Sequence, residues 1–175
     1  MPDPTCLRTV VVDDETLSRE KVVRYLRECE DIDIVAEART GTEARAAILA
    51  TRPNIVFLDI RLPDTDGLTM AEDLRSVLGK DIPEFIISTA YDTFALRAFG
   101  IHALDYLVKP YSRERFQRAV SHARSRCHLK QTAITAAQSV QIRKRTFGPR
   151  ITFRTQNKLL IFETREIVYL RAADN

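Results

Sequence analysis

Cysteine, glycine and long apolar runs are all scarce in this sequence, and each shortage removes a class of protein. Cys6, Cys29 and Cys127 are odd in number, widely spaced and without a Cys-x-x-Cys pair, so neither a disulfide framework nor a zinc site is expected. Cys29 shares a helical stripe with Val22 and Leu26 and reads as core. No apolar stretch approaches the roughly 18 residues that a membrane span needs, and Met1-Pro-Asp-Pro lacks the basic and apolar regions of a signal peptide. A cytoplasmic protein with no membrane partner is expected. The five glycines never form the Gly-x-Gly-x-x-Gly turn that a dinucleotide enzyme places after its first strand. Asp13-Asp14-Glu15 stands there instead, and its charge would repel a pyrophosphate. His102, His122 and His128 are scattered and read as surface or packing residues.

Acid is nearly missing from one segment. Residues 113–150 hold 10 Lys and Arg against a single Glu, a balance of +9, whereas residues 1–112 hold 13 against 20, a balance of −7. The last 25 residues hold 4 against 3. An acidic module is joined by a basic segment to a nearly neutral end.

What is present is a repeated alternation. Leu7–Val12 is a β-branched apolar run. A helical pattern through Leu17, Val22, Tyr25 and Leu26 follows, and then a strand pattern from Asp31 to Ala38. Thr40–Ala50 reads as a second helix that Pro53 ends, and Ile55–Leu58 as a strand buried on both faces. Leu68, Ala71, Leu74 and Leu78 mark a third helix stopped near Gly79, Phe85–Thr89 a fourth strand, and Phe94, Ala98 and Phe99 a short fourth helix. Ala103–Val108 is the fifth strand, and Ser112 caps a fifth helix that reaches about Arg126. Five such alternations predict an α/β fold with a parallel sheet covered by helices on both faces.

In a doubly wound sheet, ligands bind beyond the carboxyl ends of the strands. Strands one, three, four and five each end in a polar residue: Asp13 and Asp14, Asp59, Thr89 and Lys109. If strands one and three are neighbours, three carboxylates crowd one pocket and demand a cation. Oxygen ligands that leave room for water suit Mg²⁺, which together with the Lys109 ammonium would balance their charge. Such a pocket suits phosphoryl transfer with Asp59 as nucleophile. The plain alternative, that each group caps a helix or is a solvated loop charge, requires four coincidences at strand ends.

Val-Asp-Asp-Glu at 12–15, Phe-Leu-Asp-Ile-Arg-Leu-Pro at 57–63 with Asp66-Gly67, Ser-Thr-Ala at 88–90 and Asp-Tyr-Leu-Val-Lys-Pro at 105–110 resemble the motifs of response-regulator receiver domains of two-component signalling. The resemblance implies a flavodoxin-like sheet of order 2-1-3-4-5 and phosphorylation of Asp59 by a sensor histidine kinase. It further implies Mg²⁺ bound by Asp14 and Asp59, by Asp13 through water and by the backbone carbonyl of Arg61. Thr89 and Lys109 would hold phosphoryl oxygens, Tyr106 would follow Thr89 as an aromatic switch, Lys109-Pro110 would be cis, and Arg61 and Tyr91 would flank the hydrolytic water. The face of helix four, strand five and helix five would then control a homodimer. Arg61 occupies the place where a haloacid-dehalogenase-like phosphatase needs a second Asp, so a phosphoacceptor that is not a turnover enzyme is expected.

Residues 127–149 read as a basic helix extension and linker, with Arg143-Lys144-Arg145 as solvated charge. From 150 to 175 short strands follow, at Ile151 and Phe153, Leu159–Phe162 and Ile167–Leu170. With Ala-Tyr-Asp at 90–92 and Ala-Leu-Asp-Tyr-Leu at 103–107, this end resembles response regulators with a LytTR-type DNA-binding output domain, of which about the first quarter is present. The expectation is a receiver domain at 1–126 in a transcriptional regulator that binds DNA only through a complete output domain. The alternative is a receiver that signals by protein contact alone.

Overall fold

In the computed structural model, which describes residues 6–144, 150–155 and 158–163, the chain divides into two compact units, residues 1–128 and 129–175. The first alternates β1 (Leu7–Val12), α1 (Thr16–Arg27), β2 (Ile32–Ala38), α2 (Gly41–Thr51), β3 (Ile55–Leu58), α3 (Gly67–Leu78), β4 (Glu84–Thr89), α4 (Ala95–Gly100), β5 (Asp105–Val108) and the first half of α5, a helix whose full range is Arg113–Lys144. The five strands form one parallel sheet in the order β2-β1-β3-β4-β5, as the sequence predicts.

The apolar strands are explained by what covers them. In β3, Val56 and Leu58 enter a core with Ala44 and Ile48 of α2 and Leu68, Ala71 and Leu74 of α3. Ile55 and Phe57 point to the other face, where they meet Val22, Val23 and Leu26 of α1 and Phe116, Val120 and Ala123 of α5. With both faces buried, every residue of β3 is apolar and no polar alternation shows. Phe57 stacks on Phe116 at 5.1 Å between ring centroids.

The expected helix boundaries are set by identifiable caps. The Thr40 side chain accepts from Glu43 N at the start of α2, Asp66 accepts from Leu68 N and Thr69 N at the start of α3, and Gly79 ends α3 at φ 55°. Ser112 Oγ accepts from Arg115 N as foreseen. The fifth helix continues past Arg126 to Lys144, within the stretch read as a helix extension and linker.

In the second unit, β6 (Arg150–Thr155) and β7 (Lys158–Glu163) pair antiparallel from Arg150↔Glu163 to Thr155↔Lys158. The third strand expected at Ile167–Leu170 and the side chains of the basic run 143–145 lie outside the described residues. No helix among the described residues is long and apolar enough to cross a membrane.

Candidate functional site

The register of the sheet brings the strand-end side chains together. Val12 pairs with Leu58, and Asp59 N donates to Val12 O at 2.9 Å, so the carboxylates that follow β1 and β3 emerge side by side. Thr89 pairs with Val108, and Lys109 N donates to Thr89 O at 2.8 Å, which places the lysine at the same rim. Asp13, Asp14 and Asp59 each offer an oxygen within 4.8 Å of the others. Lys109 Nζ donates to Asp13 Oδ2 at 2.7 Å and to Asp59 Oδ2 at 2.8 Å. Asp13 and Asp59 are buried, Asp14 is exposed, and Lys109-Pro110 is cis.

Burial draws the Lys109 ammonium towards neutrality, but its hydrogen bonds and charge contacts with Asp13 and Asp59 outweigh that pull and hold its pKa above the ordinary lysine value. Three carboxylates and one ammonium leave two negative charges, and the donors are all hard oxygens. The residues present therefore fit a small divalent cation such as Mg²⁺.

Thr89 Oγ1 is fully buried at the rim and has no hydrogen-bond partner among the described residues. An orphaned hydroxyl of this kind costs free energy in the folded chain and is ready for an incoming oxygen. Next to it, Ser88 Oγ and the buried Tyr111 hydroxyl are 3.0 Å apart. Tyr106 donates its hydroxyl to the Tyr91 carbonyl, and burial, then the charges of Asp92 and Asp59, push its pKa up. The Arg61 guanidinium sits 5.4 Å from the Tyr91 ring centroid and 5.6 Å from that of Phe94, close enough for cation–π attraction.

Two supports were not foreseen. Ser18 Oγ donates to Asp13 Oδ2 at 2.6 Å. Arg19, only 4% exposed, donates through Nη1 to Asp13 O at 2.8 Å and through Nε to Glu37 at 3.2 Å. Its signal was legible, since Arg19 lies on the helical stripe of Val22, Val23 and Leu26, where a charge needs a partner.

Gly67 is fixed by close approach. A Cβ there would lie 2.3 Å from Asp59 O. Gly67→Ala is expected to push the Asp59 backbone aside and cost about 1–3 kcal/mol in thermal or urea unfolding. Unchanged stability would show that the loop yields freely.

The response regulator receiver domain family matches residues 9–121. The sensory transduction protein LytT of Bacillus anthracis is 30% identical over 172 residues, 96% of this chain and 67% of that protein. The transcriptional regulatory protein BtsR of Escherichia coli is 36% identical over 118 residues, 67% of this chain and 48% of that protein, so the chain spans about half the length of this relative. Among solved structures, the REC domain of the response regulator AraT from Geobacillus stearothermophilus superposes with a TM-score of 0.66 at 30% identity, covering 71% of this chain and 98% of that one. The signal receiver domain of the putative response regulator NarL from Mycobacterium tuberculosis gives 0.63 at 32%, covering 70% and 98%. With a family match over more than half its length and a five-stranded parallel sheet whose β1, β3, β4 and β5 ends form the Asp59 pocket, the chain belongs to the response regulator receiver domains.

Proposed function

We propose that the chain takes a phosphoryl group onto Asp59 from a phosphohistidine of a sensor histidine kinase, acting in the cytoplasm. The observation that carries this is the meeting of Asp13, Asp14 and Asp59 with a Lys109 ammonium bonded to two of them. An Asp59 oxygen attacks phosphorus in line, the bond to the donor imidazole breaks, and the imidazole leaves as the neutral ring once protonated. Asp14 and Asp59, Asp13 through water and the Arg61 carbonyl would hold Mg²⁺, whose contribution is to neutralise charge on the phosphoryl oxygens. Lys109 exchanges its bond to Asp59 for one to a phosphoryl oxygen while keeping Asp13. Thr89 Oγ1, without a partner beforehand, donates to another.

Movement of Thr89 towards the phosphoryl group alters the packing below Tyr106 and biases the α4-β5-α5 face, on which Leu96 and Val108 are exposed. Pairing of two copies through that face is the proposed output, coupled in the longer protein to a LytTR-type DNA-binding domain. The 172-residue similarity to LytT, which continues past the receiver, supports this. The test is incubation with acetyl phosphate and Mg²⁺, read by intact mass and gel filtration. One added phosphoryl group, absent in EDTA, is expected; an unmodified chain refutes the reading.

Lifetime of the phosphorylated state is proposed to depend on Arg61 and Tyr91. Their cation–π contact keeps the exposed Tyr91 ring beside the phosphoacceptor loop, in the way of an in-line water. Tyr91→Ala is expected to shorten the half-life several-fold, as followed by loss of the phosphorylated mass with time. Equal half-lives would remove Tyr91 from this role.

A further inference from the structure

The loop between β3 and α3 carries Asp59 and Arg61, and its middle is fastened to a helix far away in sequence. Asp64 Oδ1 accepts from Gly41 N at 2.6 Å, and Oδ2 accepts from Thr42 N at 2.9 Å and Thr42 Oγ1 at 2.7 Å. These are the first donors of α2, which intrahelical bonds leave open. The helix already has its own cap. Thr40 Oγ1 accepts from Glu43 N at 3.1 Å, and Glu43 reaches back to Arg39 N at 2.8 Å. Asp64 takes the two donors that this local cap leaves over, and its negative charge lies at the positive end of the helix.

The attachment is tight. A Cβ on Gly41 would fall 2.1 Å from Thr65 Cγ2 and 3.2 Å from Asp64 Oδ1. Although Asp64 is exposed, its bonds to Thr42 and Gly41 lower its pKa to about 2, so the carboxylate is charged at any pH where the protein works. On the far side of the loop, Asp66 caps α3 and pairs with Arg97 of α4 at 3.1 Å, and Gly67 N donates to Ile60 O at 2.7 Å. The stretch from Arg61 to Thr65 is thus held against α2 at one end and α3 at the other.

We propose that Asp64 is a positioning residue for the phosphoacceptor loop: by clamping it to the start of α2, Asp64 fixes the Arg61 carbonyl and the Asp59 carboxylate at the spacing the cation needs. This rests on the phosphoacceptor reading above and deepens it. Groups that orient ligands without touching the metal typically change its affinity by about 10–100-fold when removed. The expected result is that Asp64→Ala raises the Mg²⁺ concentration for half-maximal phosphorylation by acetyl phosphate on the order of 10-fold. The rate at saturating Mg²⁺ changes much less. Gly41→Ala, which drives Thr65 off the helix end while leaving every carboxylate intact, is expected to reproduce the shift.

Thr40→Ala separates positioning from plain helix capping. It removes the local cap of α2 and lowers Tm, but leaves half-saturation by Mg²⁺ at the wild-type value. If Asp64→Ala lowers Tm as Thr40→Ala does and keeps wild-type half-saturation, Asp64 is only a helix cap and the proposal is overturned. If wild type takes no phosphoryl group at any Mg²⁺ concentration, the phosphoacceptor reading fails and the clamp's role fails with it.

Discussion

Asp59→Asn is expected to abolish phosphorylation by acetyl phosphate outright and, without divalent cations, to raise thermal stability. The first effect follows because an amide offers no anionic oxygen to attack phosphorus and cannot form the acyl phosphate. The second follows from distances. Asp59 gains from Lys109 at 2.8 Å but is repelled by two carboxylates whose oxygens lie no more than 4.8 Å away. At an effective dielectric constant of about 20, the attraction is worth about 6 kcal/mol and the two repulsions together about 7 or more. Attraction and repulsion nearly cancel, so the cost of desolvating a buried carboxylate decides the sign against the native charge. Asp59→Asn should therefore unfold a few degrees higher than wild type in EDTA. With Mg²⁺ at about ten times its dissociation constant, wild type gains about 1.4 kcal/mol and the order closes or reverses. Thermal melts of both proteins with and without Mg²⁺ measure this directly. A variant that still gains a phosphoryl group would place the acceptor elsewhere, and one less stable than wild type in EDTA would mean that the Lys109 bond outweighs the repulsion.

The charges at the strand ends were legible because their surroundings are not polar. Along Val10–Val12 or Ile55–Leu58 the sheet is covered on both faces, so the sequence is an unbroken apolar run and the carboxylate that follows stands out. That Asp13 and Asp59 meet followed from one assumption, adjacency of strands one and three, which the register bears out. That Tyr91 and Arg61 share the rim was an implication of the family resemblance, and the guanidinium lies 5.4 Å from the Tyr91 ring centroid. The end of α5 could not be read, because residues 127–149 carry no sustained apolar period that would separate a helix extension from a linker. The grip of Asp64 on α2 was hidden for a different reason. It joins positions 22 and 23 residues apart through a loop whose path is set only after α2, β3 and α3 have packed. Local patterns reveal which elements form; contacts made by loops after packing leave no period to detect.

Lys109→Met should be the most destabilising single change at the site, by about 3–5 kcal/mol in the absence of Mg²⁺, because it strips the ammonium from two buried carboxylates rather than removing a matched pair. The methionine fills a similar volume, so the loss is electrostatic and not a cavity. Its pH dependence has a definite sign. In wild type the folded-state pKa of Lys109 is raised, so its contribution is fully present below the ordinary lysine value of 10.5 and fades only as pH rises through the higher folded-state value. Between pH 6 and 9 wild type therefore shows no titration from this group. In Lys109→Met the uncompensated charge can be offset by a dication, so its deficit relative to wild type should shrink as Mg²⁺ is added. Phosphoryl transfer should remain about 10²–10³-fold slow even in saturating Mg²⁺, since the donor aimed at the developing phosphoryl charge is gone. Lys109→Arg divides the two roles: it keeps the charge and most of the stability, while the larger planar group misplaces the donor and transfer stays slow. Urea unfolding across this pH range, alongside phosphorylation rates, provides the check. Wild-type stability in Lys109→Met, unmoved by Mg²⁺, would mean that the three carboxylates are solvated independently and do not form one electrostatic unit.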